Sequence, residues 1–157
     1  MNLDDLRPVF EHSPWVAERA WPRGPFKTVD DLHAAMMKVV GEASRDERLG
    51  LIRAHPELAG NEAVAGSLTV DSSSEQGRLG FTRLSREEFQ RMQQINRAYR
   101  EKFGFPCIVA LRLHPTRESV MQEMERRTAN DPETEVKNAL EQIGHITRGR
   151  LENLWHK

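Results

Sequence analysis

The stretch Ser85-Arg-Glu-Glu-Phe-Gln-Arg-Met-Gln-Gln-Ile-Asn-Arg-Ala-Tyr-Arg-Glu-Lys-Phe-Gly104 is the clearest indicator of the structural class. Its apolar residues are spaced by three or four positions, which is the repeat of one helix face. Ser85 and Glu88 have the spacing of a capping box, and Gly104 is placed to end the helix. The stretch therefore predicts a long amphipathic α-helix.

Similar start signals occur on both sides of this helix. Thr28-Val-Asp-Asp31 and Ser44-Arg-Asp-Glu47 each precede a periodic apolar segment, the second ending near His55-Pro56. Asp131-Pro132 predicts the start of a second long helix that runs to the C-terminus. We also expect a helix over 116–129 and short helical pieces over 2–21. Sustained period-two alternation is absent, so the predicted fold class is all-α.

Residues 59–83 depart from this pattern because they contain four glycines, the run Ser72-Ser-Ser74 and only scattered apolar residues. We predict a long polar loop, and a loop of this length in a compact domain is more often functional than idle. Neither an internal repeat nor a linker divides the chain. The expectation is one compact helical bundle over 1–157, with the loop carrying part of an active site.

Composition excludes several classes of function. The 157 residues hold 23 Lys+Arg against 24 Asp+Glu, for a net charge of −1, so no basic footprint for nucleic acid stands out. The longest apolar run, Cys107–Leu111, is far shorter than the roughly 20 residues needed to cross a bilayer. The start of the chain is acidic and there is one cysteine, so we expect a cytoplasmic protein.

His55 is a candidate acid or base, because its unperturbed pKa lies closest to neutral and it stands at a predicted helix end. The alternative is an ordinary histidine that interacts with the helix dipole. The second candidate cluster is Ser72-Ser-Ser-Glu75-Gln76, whose hydroxyl, carboxylate and amide groups suit a small polar ligand. Its alternative is a solvated helix start capped by Ser72 or Ser73.

The last predicted helix allows one inference about charge. At about 100° per residue, Arg150 falls on the face of Val136, Leu140 and Ile143, whereas Arg148 falls off it. Arg150 should therefore point inward, where it needs Glu75, another buried acid or a substrate carboxylate as its partner. The alternatives are a structural ion pair and a long stem that reaches water.

Other chemistries find less support in the sequence. The six histidines show no His-x-x-x-His spacing and the single cysteine is distant from them, so no metal site is expected. Cys107 has no neighbour that would activate a thiolate. The chain also lacks a Gly-x-Ser-x-Gly elbow, a phosphate loop and a dinucleotide fingerprint.

Five motifs in order resemble the OHCU decarboxylase family, whose full name is 2-oxo-4-hydroxy-4-carboxy-5-ureidoimidazoline decarboxylase. They are His55-Pro56, Ser72-Ser-Ser-Glu-Gln76, Ser85-Arg-Glu-Glu-Phe89, Asn96-Arg-Ala-Tyr99 and Lys102-Phe-Gly-Phe-Pro106. Each motif is weak alone, but their order and spacing are specific, and the likeness extends to Arg150-Leu151. The resemblance implies an all-helical, usually dimeric, cofactor-free lyase of urate degradation, which forms (S)-allantoin and carbon dioxide from a ureidoimidazoline.

The resemblance also implies roles for particular residues. His55 corresponds to the catalytic proton donor and Glu75 to the acid that assists it. Substrate contacts would come from Pro56, from Ser72, Ser73, Ser74 and Gln76, and from Cys107, Ile108, Val109, Ala110 and Leu111. Cys107 departs from the family, which more often has phenylalanine there. Arg150, which the helical spacing places on the inward face, is expected as a charged partner of the site.

Two other functions fit the residues. A hydrolase or isomerase of another ureide or amide would use the same histidine and glutamate without releasing carbon dioxide. A small helical interaction module would instead bind a partner peptide through the polar segment.

Overall fold

Capped helices form most of the computed structural model, which describes residues 1–60, 66 and 68–156. Eight α-helices lie in these ranges: α1 Leu3–Leu6, α2 Trp15–Ala20, α3 Val29–Glu42, α4 Arg45–Ala54, α5 Val70–Arg78, α6 Arg86–Phe103, α7 Arg117–Arg127 and α8 Pro132–Trp155. Short 3-10 turns occupy Arg7–Val9, Trp21–Arg23 and Leu111–Leu113. No β-strand occurs in the described ranges, so the predicted all-α class is confirmed.

The predicted start signals act as caps. Thr28 accepts a hydrogen bond from the backbone N–H of Asp31 at the start of α3. Ser44 with Glu47 and Ser85 with Glu88 form reciprocal capping boxes at the starts of α4 and α6. Gly104 ends α6 in the left-handed conformation, which glycine adopts without steric strain. Local sequence thus sets these boundaries.

Helix α8 lies against much of the rest of the molecule, since it contacts α3, α4 and the turns at Arg7–Val9 and Leu111–Leu113. Its buried residues include Ala139, Ile143 and Ile146. Val136, Leu140 and Leu154 are only partly buried. The buried face of α8 is therefore centred closer to Arg150 than the sequence predicted, since the prediction centred it on Val136.

The expectation of a loop over residues 59–83 is wrong for its central part, because Val70–Arg78 forms α5. Thr69 caps this helix by accepting from the N–H of Ser72, so the cap is neither Ser72 nor Ser73. Residues 61–65 and 67, which also belong to the predicted loop, lie outside the described residues. Ser72, Ser73 and Ser74 therefore lie on a helix, and helical spacing determines which way each side chain points.

Burial of apolar side chains in one continuous core holds the helices together. Met36, Ile52, Met92, Val120 and Ile143 are each at most 1% exposed. Burying a side chain of this size contributes about 1.5–3 kcal/mol. Within the described part of the chain, no helix is long and apolar enough to cross a bilayer.

Candidate active site

His55 lies where α4 ends. The last helical residue is Ala54, and the backbone N–H of His55 donates to the carbonyl of Ile52. His55 itself is extended, as expected for a residue before proline. The imidazole is half-buried and lines a cavity together with Pro56. Burial, with the nearby charges of Arg150 and His12, lowers the pKa of His55 to about 3, so the ring is neutral at neutral pH.

Helix α5 supplies a second side of the cavity. Ser72, Glu75 and Gln76 share one helix face because they are three and four positions apart. Ser72 and Gln76 are buried, whereas the Glu75 side chain keeps 30% of its surface exposed. All three line the cavity that contains His55. The structure therefore brings together the two motifs that the sequence placed about twenty positions apart.

Arg150 lies behind this face and holds Glu75. Its Nε donates to Glu75 Oε2 at 2.9 Å and its Nη2 to Glu75 Oε1 at 2.7 Å, which is a bidentate pair. Nη1 donates to the carbonyl of Val9 at 2.9 Å. With its side chain 1% exposed, Arg150 points inward as predicted. The carboxylate of Glu75 is thereby fixed in one orientation.

A second carboxylate, Glu11, shares the same arginine. Its Oε1 lies 2.8 Å from Arg150 Nη2 and accepts a hydrogen bond from the Ser72 hydroxyl. Burial would lower the pKa of Arg150, but the bonds and charges of Glu75 and Glu11 raise it, so the guanidinium stays charged. One buried cation thus serves two acids.

The predicted wall segment lies on the other side of the cavity. Residues 105–111 are all buried, and three side chains fix their backbone. Arg127 Nη1 donates to the carbonyl of Ile108 at 2.5 Å, and the N–H of Ala110 donates to Gln142 Oε1 at 2.8 Å. Arg78 donates to the carbonyl of Leu111. Burial raises the pKa of Cys107 to about 12, so this thiol stays protonated.

The cavity wall contains most of the predicted site residues. They are His55, Pro56, Ser72, Glu75, Gln76, Cys107, Ile108, Val109 and Leu111. Ser73, Ser74, Ala110 and Arg150 do not reach it. Ser73 and Ser74 are exposed on the other side of α5, and Ala110 and Arg150 are buried behind the wall.

Four residues of the site were not found from the sequence. Leu58, Arg112 and Ile146 line the cavity, and Glu11 lies behind it on Arg150. Arg112 directly follows the predicted wall segment, so that position was an available signal. Glu11 and Ile146 come from distant parts of the chain and carry no local motif.

The polar groups next to the cavity differ in how far they are already engaged. Gln76 accepts from the N–H of Ala59 through Oε1 at 3.1 Å, and no acceptor among the described residues takes its amide hydrogens. In the same ranges no hydrogen bond joins His55 to Glu75. Among the described residues, no group of three His, Cys, Asp or Glu is placed to hold a metal ion.

The fold is that of a small all-helical protein, and the cavity has the composition of an enzyme site. It combines a neutral histidine, an arginine-held carboxylate and an amide, and that combination suits general acid–base work on a small polar substrate.

The sequence model of OHCU decarboxylase matches residues 2–152, and the chain belongs to this family.

Relatives agree with this assignment. The 2-oxo-4-hydroxy-4-carboxy-5-ureidoimidazoline decarboxylase of Haloferax volcanii is 38% identical over 95% of this chain and 86% of its own length. The decarboxylase of the same name from Mus musculus is 36% identical, covering 97% and 85%. The crystal structure of an (S)-allantoin synthase superposes with a TM-score of 0.74 at 31% identity, over 96% of this chain and 48% of that one.

Proposed function

We propose that this chain is a lyase that converts 2-oxo-4-hydroxy-4-carboxy-5-ureidoimidazoline into (S)-allantoin and carbon dioxide in urate degradation. The observation that carries the proposal is the convergence of His55, Glu75 and Gln76 on one cavity in a chain of the OHCU decarboxylase family. The relatives' names state the reaction for those proteins. The geometry of this chain supplies groups for each step.

The substrate carries its own electron sink. Loss of carbon dioxide breaks the bond between the carboxylate and the hydroxyl-bearing ring carbon. The electron pair left behind forms a C=C bond to the neighbouring ring carbon. The π electrons of the C=N bond at that carbon move to the ring nitrogen, which takes a proton from water. The hydroxyl proton must then leave, and the neighbouring ring carbon must gain one. Each turnover of the anionic substrate therefore consumes one proton, and the protein's task is to direct proton transfer.

His55 is the residue proposed to move the hydroxyl proton to the neighbouring ring carbon. As a neutral imidazole it accepts the hydroxyl proton, and the resulting imidazolium donates to the neighbouring carbon from the same side. Arg150 and His12 disfavour the imidazolium in the free protein. Bound substrate brings a negative charge that offsets them, so the pKa of His55 should rise in the complex. Transfer from one face gives a single enantiomer.

Glu75 is proposed to orient the substrate hydroxyl. The bidentate bonds from Arg150 hold this carboxylate in one orientation at the cavity, and each carboxylate oxygen can accept more than one hydrogen bond. An anionic acceptor at the hydroxyl also favours loss of its proton. Because no hydrogen bond joins it to His55 in the described ranges, Glu75 is assigned to the substrate.

The remaining cavity groups are proposed to hold the ring and the ureido arm. Gln76 offers its amide hydrogens to a carbonyl, and Ser72 and Pro56 border the same space. The segment Cys107–Leu111 closes the other side with apolar side chains, which exclude water from the reacting carbon. Arg150 acts from behind by fixing Glu75.

The direct test is carbon dioxide release and the optical rotation of allantoin from freshly generated substrate. His55→Asn should lower kcat by about 10²–10⁴-fold. His156→Asn, at an exposed position, is the matched control and should keep the wild-type rate. A folded His55→Asn protein with wild-type turnover would overturn the assignment, and ureide turnover without carbon dioxide would favour a hydrolase or isomerase.

The proposal extends to the setting of the reaction. We expect residues 1–157 to act as one domain, two copies to form a homodimer, and the protein to work in the cytoplasm without a cofactor. Light scattering of the purified protein and activity after exhaustive dialysis against a chelator test the dimer and the lack of a metal requirement.

A further inference from the structure

Arg112 is the one permanently cationic side chain among the described residues that line the cavity of His55 and Glu75. It lies in the 3-10 turn Leu111–Leu113, directly after the wall segment, and its side chain is 39% exposed. Arg150, the other arginine of the site, does not line the cavity. Among the described residues, a direct ion pair with an anion inside this space therefore falls to Arg112.

Gly149 shapes the position of Arg112. A Cβ added at Gly149 would stand 2.9 Å from Arg112 Cδ and 3.0 Å from its Nε, closer than real Cβ contacts allow. The guanidinium also donates from Nη1 to the carbonyl of His145 at 3.1 Å. The side chain thus lies along α8, and any larger residue at position 149 would force the Arg112 side chain to shift. Glycine destabilises the interior of a helix. The close approach of the Arg112 side chain explains why glycine is nevertheless found at position 149.

The charges around the cavity leave room for an anionic ligand at Arg112. Arg150 is already shared by Glu75 and Glu11, so the carboxylate face of the cavity is not positive. The acid nearest Arg112 is Glu152, at 3.8 Å, and Glu152 also accepts from Arg148 at 2.9 Å. Arg112 therefore keeps hydrogen-bond donors for a ligand.

We propose that Arg112 binds the carboxylate of the substrate and that Gly149 is the positioning residue that sets its guanidinium at the cavity mouth. The inference rests on the proposed decarboxylation. The carboxylate gives up its charge only as carbon dioxide forms, so an ion pair stabilises the bound substrate at least as much as the transition state. Loss of Arg112 should therefore raise KM without lowering kcat.

Kinetics of single variants test this split. Arg112→Gln should raise KM at least about tenfold, the size expected for a charge-assisted hydrogen bond, with kcat within about threefold of wild type. Arg23→Gln is the matched control, since Arg23 is 40% exposed, also pairs with one glutamate, and lies outside the cavity. An unchanged KM in Arg112→Gln, with wild type active, overturns this inference alone. A wild type that releases no carbon dioxide overturns the proposed function itself.

The role of Gly149 is tested by coupling. Gly149→Ala should raise KM in the wild-type background and change it little in an Arg112→Ala background, where the side chain that would clash is absent. Gly50→Ala in α4 is the control, because a Cβ there meets nothing within 4 Å. If Gly149→Ala alters KM equally in both backgrounds, the residue does not act through Arg112.

A binding measurement separates charge recognition from general damage. The probes are allantoate, a ureide that carries a carboxylate, and neutral allantoin, each titrated calorimetrically into the whole protein. Arg112→Gln should weaken allantoate at least about tenfold and allantoin less than about threefold. Equal weakening of both ligands would show that Arg112 supports the structure only, and overturn the proposal.

Discussion

Helix α8 carries a buried ion pair near each end, and the two pairs differ in what they leave open. Near its start, Glu135 pairs with Arg127 at 2.9 Å, with side chains 0% and 8% exposed. Near its end, Arg150 pairs with Glu75, which keeps 30% of its side chain exposed toward the cavity. We call the first pair closed, because both of its side chains are buried, and the second pair open, because Glu75 is accessible from the cavity. Burial alone therefore does not distinguish a structural ion pair from a functional one.

The two acids differ in how many of their hydrogen-bond acceptor sites are occupied. Glu135 accepts from Tyr99, Arg127, Asn130 and Asn138, so both of its oxygens are occupied. Burial alone would raise the pKa of Glu135, but these bonds lower it overall. At the other end, one arginine is shared by Glu75 and Glu11. Each end also has one buried atom without a hydrogen-bond partner in the ranges that the structure describes, Arg127 Nη2 at the first and Glu11 Oε2 at the second. Four experiments test this contrast.

The largest expected effect is on stability at the closed pair. Arg127→Met should lower the free energy of unfolding by about 3–5 kcal/mol, because it leaves Glu135 buried without its cation. It also removes the bond to the carbonyl of Ile108. Chemical denaturation measures the loss. Replacing Glu135 with Gln in the same chain should recover part of it, and a loss below about 1 kcal/mol would show that the pair is not closed.

The second effect is on rate at the open pair. Glu75→Gln should reduce kcat about 10²-fold, because the amide loses the charge. The unfolding free energy should fall by less than in Arg127→Met, because Glu11 still pairs with the buried Arg150 and the amide keeps one acceptor for it. Glu118→Gln, which alters an exposed pair with Arg91, is the control. Normal kcat in a folded Glu75→Gln protein would remove this carboxylate from the reaction.

The pH dependence of stability should separate the two ends. The pKa of His55 is lowered from 6.5 to about 3 in the folded protein, so between these values the unfolded chain binds more protons. The contribution of His55 to the free energy of unfolding is therefore fully present above about pH 6.5. It decreases toward pH 3, by at most about 1.4 kcal/mol per pH unit. Glu135 has a lowered pKa, so its contribution is lost only below 4.5.

Denaturation of wild type and His55→Asn from pH 7 to pH 4 measures this effect. The variant should lose less stability over that range. Parallel curves would mean that His55 is not held neutral by the fold. NMR titration of the ring in the free protein offers the matching direct observation.

The smallest effects belong to Ser73 and Ser74, which are exposed on α5 away from the cavity. Alanine at either position should change the unfolding free energy by less than about 0.5 kcal/mol. KM should also stay close to wild type. Ser72→Ala provides the contrast, because it removes hydrogen bonds to Glu11 and Arg150. A strong KM effect at Ser73 would place that side chain in the site after all.

Local sequence predicted the helix boundaries well because caps act within a few residues. Ser44, Ser85 and Gly104 were correctly identified from spacing alone. Helix α5 was missed because serine and glycine are weak helix formers, and its stability depends on Ser72 and Gln76 being buried against distant residues. Tertiary contacts outweighed propensity there.

The site was predictable only in part. The inward direction of Arg150 follows from helical geometry, but its second acid, Glu11, is 139 positions away by the numbering and has no sequence signal. The exposure of Ser73 and Ser74 required knowing that α5 is a helix. The position of Arg112 could not be predicted either, because it depends on the packing of its side chain against Gly149, which is distant in sequence.

The single cysteine offers a chemical reporter of the cavity wall. Cys107 is 2% exposed and burial raises its pKa to about 12, so almost none of it is thiolate at neutral pH. Alkylating reagents attack the thiolate, so the native protein should react slowly. Labelling must then wait for the segment 105–111 to open. The labelling rate would thus report how often this segment opens. No probe has to be introduced, and the chain has no second thiol that would contribute to the signal.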